Sequence, residues 1–213
     1  MSRPIPAQAR AKPRAHPLLH PAVRPTLHLL CALPLAWLIS ALFTQQLGAN
    51  PAEALIRSLG DWALRGLLLT LSITPARVLL GQPLLLRYRR LFGLWSFAYA
   101  LLHLLAYAVF DQGLLLGEIL RDIAKRPFIL VGMLTFALLL PLAATSFQAA
   151  QRWLGGRRWQ RLHQLVYPAL LLACLHFWWM REAKNRLAEP AVYALIALLL
   201  LGWRFSRSSR PRS

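Results

Sequence analysis

The sequence predicts an all-α protein, an integral membrane bundle of six helices with both termini cytoplasmic. Two features of its 213 residues carry that prediction. Six apolar runs are long enough to cross a bilayer, which takes about 17–25 residues at a rise of ~1.5 Å each. The charges also divide by side. Threaded through a bilayer six times, the chain puts all seven Asp and Glu on one face and seventeen of its twenty-five Lys and Arg on the other.

Residues 1–26 come first. They carry six prolines and the cations Arg3, Arg10, Lys12, Arg14 and Arg24, a composition that cannot bury a core, so a disordered cytoplasmic tail with a solvated His16 and His20 is expected. The first helix is expected at 27–43. A basic stretch precedes it, as in a signal peptide, but the run is long for that role and lacks a small-residue cleavage site.

The second helix (61–79) descends to an inner segment, 77–90, holding Arg77, Arg87, Arg89 and Arg90. The third (91–110) returns to an outer loop, 111–126, that mixes Asp111, Glu118 and Asp122 with Arg121, Lys125 and Arg126. The fourth (127–147) leads inward to 148–163, with Arg152, Arg157, Arg158 and Arg161. The fifth (164–180) and sixth (190–205) flank an outer loop with Arg181, Glu182, Lys184, Arg186 and Glu189. Arg204 closes the last helix, and a basic tail, 206–213, adds Arg207, Arg210 and Arg212.

Short loops rich in Lys and Arg stay on the cytoplasmic side, which sets the orientation. The formal charge of +18 is thereby explained by topology and by contact with anionic lipid, without nucleic acid as a partner. Residues 27–205 then form one transmembrane domain. Trp153 and Trp159 fall at the inner interface and Trp62, Trp178 and Trp179 at the outer, where indoles act as anchors. Pro34, Pro75, Pro141 and Pro168 mark kinks, and Cys31 and Cys174 are small apolar residues within spans.

Ionisable groups inside spans point to function. Measured from Arg90 and Arg161 as inner markers, His103 on the third helix and His176 on the fifth lie at depths of about 20 and 22 Å. Two imidazoles at matched depth can bind one metal from opposite sides, the arrangement of a bis-histidine haem b. His163 sits about 20 Å below His176, where a second haem would stack across the membrane. On an ideal helix their side chains point about 140° apart, so sharing a face requires rewinding near Pro168. The third helix offers no histidine as partner for His163. Arg89 and Arg90 stand there instead, and His28 in the first helix is the other candidate. Each histidine is also readable as a packing residue that hydrogen-bonds across helices. The arginines, in turn, are readable as inner-face anchors.

No GxGxxG, Walker A, CxxC or HExxH occurs, so a built-in nucleotide or flavin dehydrogenase domain is not expected. Leu27-His28-Leu29, Ile73-Thr74-Pro75, Gln82-Pro83-Leu84-Leu85, Arg89-Arg90-Leu91-Phe92-Gly93-Leu94-Trp95, Leu102-His103-Leu104 and Arg157-Arg158-Trp159-Gln160-Arg161-Leu162-His163, with His176 beyond, follow in order. From 27 to about 205 the chain resembles the MsrQ family, also called YedZ. These are haem-binding membrane subunits of bacterial periplasmic protein-methionine-sulfoxide reductases, and they group with the ferric reductase-like transmembrane domains that include NADPH oxidases.

That resemblance implies one or two haems b held at His103, His163 and His176, with Arg89 taking part in the second site, and an associated FMN. It implies an inner-membrane protein that takes electrons from the quinone pool or a cytosolic flavin reductase. Delivery would be to MsrP, a periplasmic molybdopterin enzyme that reduces methionine sulfoxide in envelope proteins. The chain has one histidine on the third helix where the oxidases have two, which bears on the second haem. Electron transfer without substrate chemistry on this chain is the expected activity. The rivals are a ferric reductase or quinol-linked cytochrome b with another acceptor, and a non-redox scaffold or small transporter.

Overall fold

The computed structural model describes residues 16–182 and 186–208, and these are helical without a strand. In chain order the α-helices are α1 (Val23–Phe43), α2 (Pro51–Leu79), α3 (Leu86–Ala106), α4 (Leu116–Lys125), α5 (Pro127–Ala144), α6 (Gln148–Leu154), α7 (Gly156–His163), α8 (Val166–Glu182) and α9 (Ala188–Ser208). Most of the expected tail (1–15), Lys184, and residues 209–213 with Arg210 and Arg212 lie outside the described residues.

The six expected runs fall on α1, α2, α3, α5, α8 and α9. Four regions are long and apolar enough to cross a membrane: Val23–Phe43, Pro83–Asp111, Pro127–Ala144 and Ala188–Arg207. The other two differ for separate reasons. α8 has only 17 residues. α2 has 29 but carries Glu53, Arg57, Asp61, Arg65 and Arg77, and it also buries more residues than any other helix, from Leu55 to Ile73. A helix enclosed by protein does not need an apolar surface all round.

Several boundaries move. α1 starts at Val23 rather than 27, because Pro25 falls in the first turn, where a missing N–H costs no helical bond. Before it, Pro17–Leu19 form a 3₁₀ turn, and the Nδ1 atoms of His16 and His20 accept from the N–H groups of Leu18 (3.2 Å) and Ala22 (3.3 Å). Tyr88 of α3 donates its hydroxyl to the Leu18 carbonyl. Residues 16–26 thus touch the bundle at Tyr88, while most of them, His20 included, stay exposed.

The outer loop 111–126 is also structured. α3 ends in a π-helical segment, Tyr107–Asp111, then Gly113 and Leu114 at φ +58° and +61° turn the chain into the amphipathic α4. On the inner side, 148–163 folds as α6 and α7, divided at Gly155, whose φ of +72° suits glycine. His163 ends α7 and is not on the helix of His176. Pro168 lies in the first turn of α8, and its ring would clash with the carbonyl of Gln164 in a continuous helix, so the chain breaks at Gln164 and Leu165.

Two apolar clusters position the helices. Leu64, Leu67, Leu68 and Leu71 of α2 pack with Leu139 and Leu142 of α5, Val166, Ala169, Leu170 and Phe177 of α8, and Ala197 of α9. Toward the outer side, Leu38 of α1, Leu55 and Leu59 of α2, and Tyr99 and Ala106 of α3 form the second. α2 belongs to both and is the central helix. It approaches α3 closely at Gly66, where a Cβ would lie 3.0 Å from that of Ser96, and Ser96 donates to the Ala63 carbonyl at 2.7 Å. In lipid, such small-residue contacts substitute for the hydrophobic drive that water supplies elsewhere. Beside Pro34, the Tyr99 hydroxyl enters the α1 ladder, donating to the Cys31 carbonyl (2.7 Å) and accepting from the Leu35 N–H (3.1 Å).

Candidate functional site

α3 and α8 run in the same direction and bring His103 and His176 together. Their ring centres are 6.2 Å apart and their planes cross at 76°. His103 Nδ1 lies 2.8 Å from the Ile56 carbonyl of α2, and His176 Nδ1 lies 2.6 Å from the Phe128 carbonyl of α5. A carbonyl only accepts, so each Nδ1 carries the proton and donates it. In the neutral ring the lone pair is then on Nε2.

Two such rings suit a metal. An ion about 2.0–2.1 Å from each of two facing imidazole nitrogens separates the ring centres by roughly 6 Å, which is the spacing found. Among the described residues no group of three or more His, Cys, Asp or Glu could hold an ion by itself. The donor set therefore fits a metal that brings its own equatorial ligands and needs only two axial ones, as a haem iron does.

His163 is at the inner end. It stacks on Trp159 with ring centres 4.0 Å apart, and the Trp159 indole donates to the Thr145 carbonyl at 2.9 Å. Trp159 is thus part of this cluster as well as a residue of the inner interface. The Thr145 hydroxyl gives its single proton to the Pro141 carbonyl (2.6 Å), so toward His163 Nε2, at 3.1 Å, it can only accept. His163 consequently holds the opposite tautomer, with its lone pair on Nδ1. Burial and the positive charge of Arg89 lower its pKa, against a hydrogen bond at Thr145 that raises it.

Arg89 of α3 also neighbours Arg204 of α9 and Tyr167 of α8, and the Arg204 guanidinium lies 5.1 Å from the Tyr167 ring centre. The two guanidiniums are thus within electrostatic reach of each other. His28 and Arg90 are placed elsewhere. His28 accepts from the Trp95 indole at 2.9 Å, and with Arg24, Arg87, Arg90 and Trp95 it lines a cleft between α1 and α3. Trp95, and not His163, is the ring that meets His28.

Sequence reasoning missed an ion network that joins α2, α8 and α9. Arg181 of α8 pairs with Asp61 of α2 (3.1 Å) and Glu189 of α9 (3.5 Å). Arg65 pairs with Glu189 at 3.1 Å and donates to the Tyr193 hydroxyl at 2.6 Å. The Arg181 and Asp61 side chains are only 13% and 16% exposed, so these charges knit the bundle instead of facing solvent. Their even balance of two cations and two acids was the only sign in the sequence.

The ferric reductase like transmembrane component family model matches residues 59–174, which include α3 and reach into α8. A protein of Polaromonas naphthalenivorans named protein-methionine-sulfoxide reductase heme-binding subunit MsrQ is 56% identical, over 83% of this chain and 80% of its own length. Proteins of the same name from Bordetella pertussis (52% identical, 78% and 80% covered) and Rhodospirillum rubrum (48%, 85% and 86%) are similar over nearly the same extent. No solved structure matches the chain.

Proposed function

The chain belongs to the MsrQ family of ferric reductase-like membrane proteins, and from that membership we propose that it is the haem-binding, electron-transferring membrane subunit of a protein-methionine-sulfoxide reductase. It crosses the bacterial inner membrane six times, with α2 and α8 enclosed by the more apolar helices and both termini in the cytoplasm. Electrons enter from the quinone pool or a cytosolic flavin reductase and leave at the outer side to MsrP.

One observation carries this reading: two imidazoles from different helices, 6.2 Å apart, with both Nδ1 atoms already engaged by backbone carbonyls. His103 and His176 would hold a haem b through Nε2. Bound there, the haem supplies a one-electron carrier. The chain's own part is to fix both rings and to keep them in apolar surroundings, which are the protein's means of setting a haem potential. At the inner end His163 offers one imidazole. Beside it Arg89 and Arg204 offer two guanidiniums to the anionic groups of a second cofactor, the propionates of a second haem or the phosphate of FMN.

The reduced-minus-oxidised visible spectrum of detergent-purified protein, with a haem-to-protein ratio, tests this. A b-type spectrum at one or two haems per chain is expected, and a colourless, folded preparation would overturn the reading. The name of the matched family model also favours a second reading, a ferric reductase using the same ligands. Stopped-flow oxidation of the reduced protein separates the two: MsrP is the faster acceptor under the first and a ferric chelate under the second.

A further inference from the structure

The two histidines are seated in the same way. In an α-helix the carbonyl of residue i is bonded to the N–H of residue i+4. On α2 the carbonyl that receives His103 belongs to Ile56, and the residue four further on is Gly60. On α5 the carbonyl that receives His176 belongs to Phe128, and the residue four further on is Gly132. A Cβ on Gly60 would lie 3.1 Å from Cε1 and Nδ1 of His103, and one on Gly132 would lie 2.9 Å from Cε1 and 3.0 Å from Nδ1 of His176. The carbonyl and the histidine are 47 residues apart in one case and 48 in the other.

Each seat is thus a helical hairpin of two antiparallel helices, α2 with α3 and α5 with α8. The first helix supplies a carbonyl and, one turn on, a missing side chain; the second supplies the ring. All four helices keep their sense when one hairpin is exchanged for the other, so the two seats face each other across the bundle as equivalent halves.

We propose that Gly60 and Gly132 are positioning residues. Each, with the carbonyl four residues before it, forms a socket that holds its imidazole against a helix backbone, fixes the proton on Nδ1, and presents Nε2 to the iron. This rests on the haem reading above. A methyl group at either glycine meets the ring itself, not a flexible side chain, so the ring must leave the carbonyl or turn. Partners that orient a ligating histidine also raise its basicity, and their loss typically costs about 10–100-fold in metal affinity. A more basic ligand favours the ferric state, so loss of the carbonyl bond should raise the midpoint potential.

Gly66 supplies the control. Its absent Cβ is equally confined, 3.0 Å from Ser96 Cβ and 3.1 Å from Ser96 Cα, at the same α2 and α3 interface but against no histidine. Haem-loaded wild type, G60A, G132A and G66A would be purified in detergent. Haem per folded chain, the ferric EPR spectrum and the midpoint potential of the outer haem would then be compared. The expected result is that G60A and G132A each lose about 10-fold or more in haem affinity, and that the haem they retain has an altered EPR spectrum and a raised potential. G66A should lose folded yield while its remaining haem keeps the wild-type spectrum and potential.

Wild-type haem properties in both G60A and G132A, or changes no different from those of G66A, would overturn the sockets while leaving the haem reading intact. A colourless wild type would overturn both. Should an alanine variant fail to insert, wild-type protein still decides the matter. ENDOR spectroscopy of its ferric haem should show, for the non-ligating nitrogen of both rings, the proton and nitrogen couplings of an N–H hydrogen-bonded to a carbonyl, and the couplings of a free N–H in either ring would overturn the socket there.

Discussion

Thr145 Oγ1 lies 3.1 Å from His163 Nε2 and must accept from it, which gives His163 the opposite tautomer to His103 and His176. The inner imidazole is therefore held by a side chain and a stacked indole, where the outer pair is held by helix backbone. The two positions should respond independently. His163→Ala should remove at most one haem per chain and leave the spectrum of the outer haem recognisable. Loss of all haem from a folded, inserted variant would contradict separate sites.

His103→Ala and His176→Ala should each abolish most binding at the outer position. Removing one of two axial ligands leaves a single imidazole to hold the iron. Haem per chain and the low-spin Soret and α bands report the outcome. Full retention of haem in both variants would end the pairing.

The outer histidine pair was legible because depth along a helix follows from counting residues. It needed only Arg90 and Arg161 as markers and a common direction for α3 and α8. Azimuth was not legible in the same way. The 140° conflict between His163 and His176 came from counting one continuous helix from 163 to 176, and the break at Gln164 and Leu165 before Pro168 removes that premise by ending α7 at His163. The Asp61 to Arg181 pair and the seats at Gly60 and Gly132 depend on which helices neighbour one another. A single sequence with period-3.6 patterning does not contain that. α4 was missed because a ten-residue amphipathic helix with Glu118, Arg121, Asp122 and Lys125 reads as a charged loop.

Arg89 and Arg204 repel each other electrostatically, so an anion bound between them relieves that repulsion. Arg89→Leu should weaken retention of the inner cofactor about 10–100-fold, consistent with losing charge-assisted bonds of about 1.5–3 kcal/mol. Arg89→Lys should recover part of it, since Lys keeps the charge but not the planar fork. Haem and flavin content per chain after gel filtration measures this. Equal retention in the leucine variant would remove Arg89 from the site.

The π-helical end of α3 is clasped to α4 and α5. Asp122 accepts from Arg126, from the Tyr107 hydroxyl (2.7 Å) and from Gln112 (3.3 Å). Burial alone would raise the Asp122 pKa, but the hydrogen bonds from Arg126 and Tyr107 and the charge of Arg126 hold it below the ordinary value. A carboxyl depressed in the folded state stabilises it above the unfolded pKa, about 3.9, and loses that contribution as pH falls through the folded value. Arg126 is 40% exposed, which limits the contribution to about 1 kcal/mol or less. Amide exchange across 107–126 should accelerate as pH is lowered below about 4 after correction for intrinsic rates, and Asp122→Asn should show the fast behaviour at neutral pH. A pH-independent loop in the wild type would rule out the clasp.

Asp61 and Arg181 lie close to the histidine pair, Asp61 beside Gly60 and Arg181 five residues beyond His176. With Glu189, Arg65 and Tyr193 they join the middle of α2 to the end of α8 and the start of α9. Both Asp61 and Arg181 are mostly withdrawn from water, so removing one strands the other. Arg181→Ala should cost about 3 kcal/mol, as for a buried pair broken on one side. Asp61→Asn combined with Arg181→Met leaves no stranded charge and should recover most of that loss. Thermal unfolding in detergent, followed by haem absorbance and by tryptophan fluorescence, separates a general loss of stability from loss at the haem. A double variant no more stable than Arg181→Ala would show that the side-chain packing of Arg181, including its guanidinium 5.1 Å from the Phe177 ring centre, matters more than its charge.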